Sequence, residues 1–236
     1  MFVTPSNFDT PPYSIPNLDK EVNSFLDYVA VLEEGALLKL LGRQLYKAFI
    51  DGLAALPEAY SEETATVINS EYVYGNNIWK ALTVTTGVFP VAGSDWELVE
   101  TNKWLELKNG AEYTYASKVW KWAGMVKLLT PFIYSRYVEE NVEQFTGNGV
   151  VVASNENSTL VSPAFKVTRA HNKYAELAGV ARGVRNNYPY YSYRFDQSFE
   201  CFSYEDTLYG FLTAKGLTVY PDWCFESPGL RNIAGI

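Results

Sequence analysis

Apolar side chains near the start of the chain fall at helical spacing. Leu18, Val22, Phe25, Leu26, Val29 and Leu32 form one stripe, and Leu38, Leu41, Leu45 and Phe49 continue it beyond Gly35. Asn17 supplies an N-cap, with acidic residues in the first turn. The pattern predicts helices over 18–33 and 36–52, either a helical hairpin or one helix bent near Gly35, ended by Pro57. Ahead of them, residues 1–16 hold four of the 11 prolines and read as an extended arm. The middle of the chain has a weaker period. Residues 58–75 admit a short helix, 76–82 read as another that stops near Gly87–Pro90, and 88–116 read as irregular with one or two short strands such as 103–107.

The strongest pattern spans 117–188. Ser117 reads as the cap of a helix in which Val119, Ala123, Val126, Thr130, Ile133 and Tyr137 share a face, widened by Trp122, Leu129 and Val138. Unbroken to Glu143 it would be roughly 40 Å long at 1.5 Å per residue, with a bend at Pro131. Gly147 and Gly149 end it. Val150–Val152 then reads as a strand, SNENS as turn chemistry and Thr159–Val161 as the return strand of a hairpin. Ser162–Pro163 starts a second helix, with Val167, Ala170, Tyr174, Leu177, Ala181 and Val184 on its stripe and its end near Asn186 or Asn187. The tyrosine-rich run 188–195 reads as packing back across the helices, and a short helix near 204–214 precedes a Pro/Gly-punctuated tail. The fold class that follows is mainly α: a helical bundle with a long bent helix, a β-hairpin insert and extended termini. Its expected parts are an arm over 1–16, a helical domain over 17–215 carrying the hairpin at 146–162, and a tail over 216–236.

Composition narrows the function. At 236 residues and 47% hydrophobic, the chain can bury a sizeable core and is not a disordered polymer. Its 18 tyrosines suit half-buried surfaces, which protein interfaces and sugar sites share. A net charge of −8 without a Lys/Arg cluster argues against tight nucleic-acid binding, although it suits a surface past which DNA slides without sticking. Cys201 and Cys224 are too few for a disulfide framework and lack zinc spacing. The N-terminus has no signal-peptide pattern and no run is apolar for long enough to span a membrane, so the expectation is a soluble protein made in a cytoplasm. On that route the Asn157-Ser158-Thr159 glycosylation sequon is idle.

Reaction chemistry finds little purchase. His171 is the only histidine, so no metal site can rest on a pair of imidazoles and a serine triad would need this one residue; a structural or solvent-facing role is expected of it. The TGNGVV segment has Val152 where a dinucleotide loop needs its third glycine, and it follows a helix rather than a strand. Carboxylates gather at Glu33–Glu34, Glu62–Glu63 and Glu139–Glu140–Glu143, each placed as on a solvated surface rather than across a pocket. Trp120/Trp122 and Tyr188 to Tyr193 could stack on sugars, which keeps a carbohydrate-binding module as the alternative to core and subunit packing. No catalytic residue, cofactor or metal is expected.

Several short motifs carry a resemblance. They are LLGRQLYKAF at 40–49, W-x-x-L-x-x-G from Trp104 to Gly110, W-x-G from Trp122 to Gly124 and T-G-N-G at 146–149. H-N-K-Y follows at 171–174, then Y-P-x-W at 220–223 and a terminal N-x-x-G-I at 232–236. In this order the chain, over most of 18–236, resembles a family of tailed-phage proteins found in phages and prophages of Bacteroidota. Their role is similar to that of helical head-to-tail adaptor or head-completion proteins, which dock under a portal ring. The family often has Tyr before the Asn of the H-N-K-Y helix, where this chain has His171. The resemblance implies a structural virion protein without catalytic residues. It would form a ring with itself, usually of twelve copies, and contact the portal protein and a tail or second neck protein. DNA would pass through its channel without specific binding, and no membrane is involved. It would sit in the virion neck after assembly in the host cytoplasm. The partner interface is then expected at Thr146, Gly147, Asn148, Gly149, Val150, Val151, Val152, Asn155 and Asn157 of the hairpin and at Tyr220, Trp223 and Ile236 of the tail.

Overall fold

The first apolar stripe folds as α1 (Asn23–Ala54), whose Phe25, Val29, Leu37, Leu40, Leu41, Leu45 and Phe49 enter the main core. The computed structural model describes residues 1–15, 23–142, 144–146, 149–151, 164–179, 181–182, 201–202, 206–223 and 225–231. The expected helix start at 17–18 lies outside them. The break in α1 falls at Gly42, with φ 70° and ψ 167°, and not at Gly35, where the helix runs on. Free backbone at Gly35 permits a break but does not require one; at Gly42 a neighbouring chain segment does. A Cβ there would meet the Asp222 carbonyl oxygen at 3.0 Å.

The N-terminal segment is docked rather than extended. Pro5–Phe8 forms a 3-10 turn, and Val3 and Phe8 are fully buried against α1. Glu33 of α1 explains the docking. Its carboxylate accepts the backbone N–H of Phe2 at 2.9 Å and that of Val3 as well. The expected solvated Glu33–Glu34 pair is therefore split, with Glu33 buried and Glu34 exposed. Burial pushes the Glu33 carboxyl up, while the N–H groups of Val3 and Phe2 and the terminal ammonium pull it down.

The middle of the chain is where the structure departs most from expectation. Residues 58–101 form a three-stranded antiparallel sheet in the order β1 (Glu71–Tyr74), β2 (Asn77–Ala81), β3 (Trp96–Thr101). Tyr74 faces Asn77 across a two-residue Gly75–Asn76 turn, so the short helix expected over 76–82 is the second strand of a hairpin. The alternation in EYVY-GN-NIWKA is the cue, with aromatic and β-branched residues on either side of a turn pair. Trp79, Ala81 and Trp96 make a separate small core, with Tyr60 and Tyr72 packed on it. The strand expected at 103–107 is instead α2 (Lys103–Asn109). The Asn102 side chain accepts from the backbone N–H of Trp104 at 2.9 Å, and this cap outweighs the β tendency of a Trp/Leu run.

The 40 Å helix is also shorter than expected. Residues 118–122 are not its first turns but a strand, β5 (Lys118–Trp122), paired with β4 (Ala111–Tyr115). Ala116 and Ser117 both have positive φ, 50° and 63°, so Ser117 is a hairpin turn residue and not a helix cap. Val119 consequently faces solvent at 69% exposure. The helix itself, α3 (Met125–Val142), continues past Pro131 without terminating. Its Met125, Leu128, Leu129 and Ile133 are fully buried.

After α3 come β6 (Gln144–Thr146) and β7 (Gly149–Val151), then α4 (Ala164–Ala178). The second helix thus ends at Ala178, well short of Asn186, because Gly179 takes φ 120° there. β8 (Ala181–Arg182) pairs with β9 (Cys201–Phe202), and α5 (Leu208–Ala214) starts on a Thr207 cap whose hydroxyl accepts the Gly210 N–H at 3.1 Å. The expected packing of 188–195 lies outside the described residues. Helices α3 and α4 make the most extensive helix pair, and α1, α2 and the 3-10 turn also pack on α3. Among the described residues the fold has five α-helices and four small antiparallel sheets, so a helical core is present but a purely helical bundle is not.

Candidate interaction surface

The short motifs meet each other in pairs. The Trp122 indole N–H donates to the Leu107 carbonyl at 2.8 Å, joining W-x-G to W-x-x-L-x-x-G. Their glycines cross as well. A Cβ on Gly110 would lie 2.6 Å from the Trp122 carbonyl oxygen, and one on Gly124 would lie 2.6 Å from that of Asn109. Both have φ above 90°, so side-chain bulk and backbone geometry exclude other residues together. Between LLGRQLYKAF and Y-P-x-W the contact is Asp222, whose carboxylate accepts the Gln44 N–H at 3.0 Å where α1 restarts after Gly42. This is a helix cap supplied from far along the chain.

H-N-K-Y is the third such joint. Nε2 of His171 must donate to the Gly229 carbonyl, 2.9 Å away, because a carbonyl only accepts. Nδ1 is then unprotonated and buried with no partner among the described residues. Burial lowers the affinity of the ring for a second proton, reinforced by Arg231 and Arg136 and opposed by the Gly229 bond and Glu139. Asn172 pairs with Arg231 as a strand would, accepting its N–H at 2.7 Å and donating to its carbonyl at 2.9 Å. The Arg231 guanidinium reaches Glu139 of α3. The tail is thereby strapped along α4, with Ser227 donating to the Gly179 carbonyl at 2.9 Å.

Two of the expected interface residues lie at these joints. Tyr220 and Trp223 are half-buried on the main core, with the Trp223 ring 5.9 Å from that of Tyr209. They hold this chain to itself. Of the hairpin residues, Thr146 lies in β6, and Gly149, Val150 and Val151 lie in β7. Pairing of Thr146 with Gly149 makes the hairpin tighter and earlier than one closing on Thr159–Val161. Gly147, Asn148, Val152, Asn155, Asn157 and Ile236, and the expected return strand, lie outside the described residues. The structure therefore brings four of the hairpin residues into one two-stranded hairpin, while Tyr220 and Trp223 belong to the tail. For the sugar-stacking alternative, Trp122 is buried and Trp120 packs on the same core, its indole donating to the Tyr115 carbonyl at 3.3 Å.

A surface that the sequence reading passed over lies on the three-stranded module. Val67, Ile68, Tyr74, Val84, Val88, Phe89, Val91, Leu98 and Val99 are all exposed there. Single exposed apolar residues are ordinary, but this concentration in one small unit is not. Residues 58–101 also hold seven acidic groups (Glu58, Glu62, Glu63, Glu71, Asp95, Glu97 and Glu100) against one cation, Lys80. Most of the net charge of −8 therefore resides on this module, a bias visible in the sequence once the segment is taken as a unit. Among the described residues no group of three or more His, Cys, Asp or Glu could hold a metal ion, and no helix is long and apolar enough to cross a membrane. Comparison with known protein families, characterised proteins and solved structures finds no match to this chain.

Proposed function

We propose that this chain is a structural protein of a phage neck, a ring-forming connector between portal and tail. The observation that carries the reading is the α3–β6–β7–α4 block, two helices packed on each other and joined through a tight hairpin. A rigid helical pair presenting a loop is suited to docking. The motif resemblance supports the same reading. The acidic balance fits a channel that DNA crosses without adhering, since a net charge of −8 repels a phosphate backbone. On this reading the chain resides in the virion neck, and its partners are further copies of itself, the portal protein and a tail or second neck protein.

Negative-stain images of virions or of co-expressed portal complexes test it. Rings containing this chain are expected, and a monomer that never joins a portal or tail protein would sink the idea. Deleting 148–158 should leave the protein folded by circular dichroism yet block incorporation; normal assembly of that variant removes the hairpin from the interface.

A further inference from the structure

We infer that copies of this chain associate head to tail, the 58–101 module of one docking into the groove beside α4 of the next. The inference rests on the connector reading and names the contact between copies. On the module side, one sheet edge is already covered and the other is not. The Glu58–Tyr60 segment bridges β1 through Ala59 and Val73, whereas β3 is the last strand on its side. The open edge does not invite a further strand. The β2–β3 register slips between Ile78 and Trp79, placing Val99 as an extra residue in β3, and Glu97 and Glu100 stand exposed along it. Exposed Val88, Phe89, Val91, Leu98 and Val99 nevertheless leave apolar surface that side chains of a partner can cover.

Charge decides what that partner is. Two modules face to face would set acidic surfaces against each other, so an isologous contact through β3 is disfavoured. The complementary surface is present on the same chain. Lys166, Arg169 and Lys173 lie at i, i+3 and i+7 on the exposed side of α4, and Phe165 beside them is 57% exposed. Among the described residues Lys166 and Arg169 have no ion-pair partner, while Lys173 lies 3.6 Å from Glu176. With Pro11, Pro12 and Tyr13 as the opposite wall, they line an open groove of about 1160 Å³, none of whose lining comes from the module. A basic, partly aromatic groove and an acidic, apolar module on separate surfaces form a heterologous pair, the type that closes into rings when the rotation permits.

Sedimentation velocity on the full chain tests the contact. The wild type should self-associate, more weakly at high salt, and E97K/E100K and K166E/R169E should each weaken association at least about tenfold. An equimolar mixture of the two variants should associate again, because each then offers the surface the other lacks; this recovery also shows that both are folded. A wild type that stays monomeric, single variants that associate like wild type, or a mixture that does not recover overturns the contact. Rings in portal complexes formed equally by both variants would overturn it while leaving the connector reading intact. Recovery in the mixture without any joining of portal or tail proteins would do the reverse.

Discussion

The helical core and the three-stranded module are built from the same kinds of residue but on different scales. In the core, α1, α3, α4 and α5 interleave with the β4–β5 hairpin around Leu40, Leu41, Trp122, Met125, Leu128 and Phe211, all essentially without exposure. Its joints are made by residues far apart in sequence. The module rests on Trp79, Ala81 and Trp96 and leaves more apolar side chain outside than in. Its ties to the rest run through Asn76, whose amide donates to the Gly110 carbonyl at 2.8 Å, and Asn109, which donates to Asn76. A unit with so little buried surface draws its stability from few contacts, and its exposed face is available to a partner. The core specifies the fold, and the module presents surface.

Breaking each unit at its largest side chain should separate them. Trp122→Ala removes a buried indole together with its bond to Leu107, at a cost of about 3–5 kcal/mol. That is a large share of an ordinary domain's stability, and thermal melting should show cooperative loss of the whole chain. Trp96→Ala costs a comparable amount at its own site, because it also loses the bond from its indole to the Val88 carbonyl at 3.2 Å. Its effect should stay local. Amide exchange is expected to rise across 71–101 while α1 and α3 keep their protection. Equal loss in both regions would show that the module and the core unfold as one.

The same contrast explains what the sequence made legible. Long apolar stripes predicted α1, α3 and α4 because a helix that buries one face must repeat it every three to four residues. The module's strands are short, and β3 has Trp96 buried with every following residue exposed, so no alternation marks it. Turns were decisive where they were missed. Ala116–Ser117 carries none of the glycine that usually signals a type I′ turn, and Asn102, inside the stretch read as irregular, caps α2 with its side chain. The motifs were visible as strings, but their meaning was not. Leu107 with Trp122, Gly42 with Asp222 and Asn172 with Arg231 are tertiary pairs, and no spacing rule within one segment reveals them. Tyr220 and Trp223, expected at a partner interface, likewise pack on the chain's own core, which no local pattern shows.

A smaller perturbation sharpens the core side of the comparison. Asp222→Ala should cost about 1 kcal/mol, the usual worth of a helix cap. The loss should concentrate at the Gln44 amide, which the carboxylate holds, and should leave the module unchanged. Hydrogen exchange at Gln44 reads it directly. Unaltered protection there would mean that Gly42 breaks the helix without help from the tail.

The mildest test uses protons. The His171 ring is held neutral, its affinity for a second proton lowered first by burial and then by Arg231 and Arg136. A group whose folded value lies below its ordinary value of about 6.5 binds fewer protons in the folded state, so docking is fully supported above that pH and weakens as pH falls below it. Between pH 7 and 5 the strap over 227–231 should therefore loosen, by no more than one hydrogen bond's worth, about 1 kcal/mol. Arg231 also pairs with Glu139 of α3, so the strap has an anchor that does not involve the imidazole. Protection of the Arg231 amide, which donates to Asn172, is the reporter, corrected for the intrinsic pH dependence of exchange. His171→Gln preserves a donor for Gly229 but cannot titrate, and its profile should be flat. A wild-type profile equally flat would show that Asn172 and Glu139 hold the tail without the imidazole, and the core would then have no acid-sensitive joint at α4.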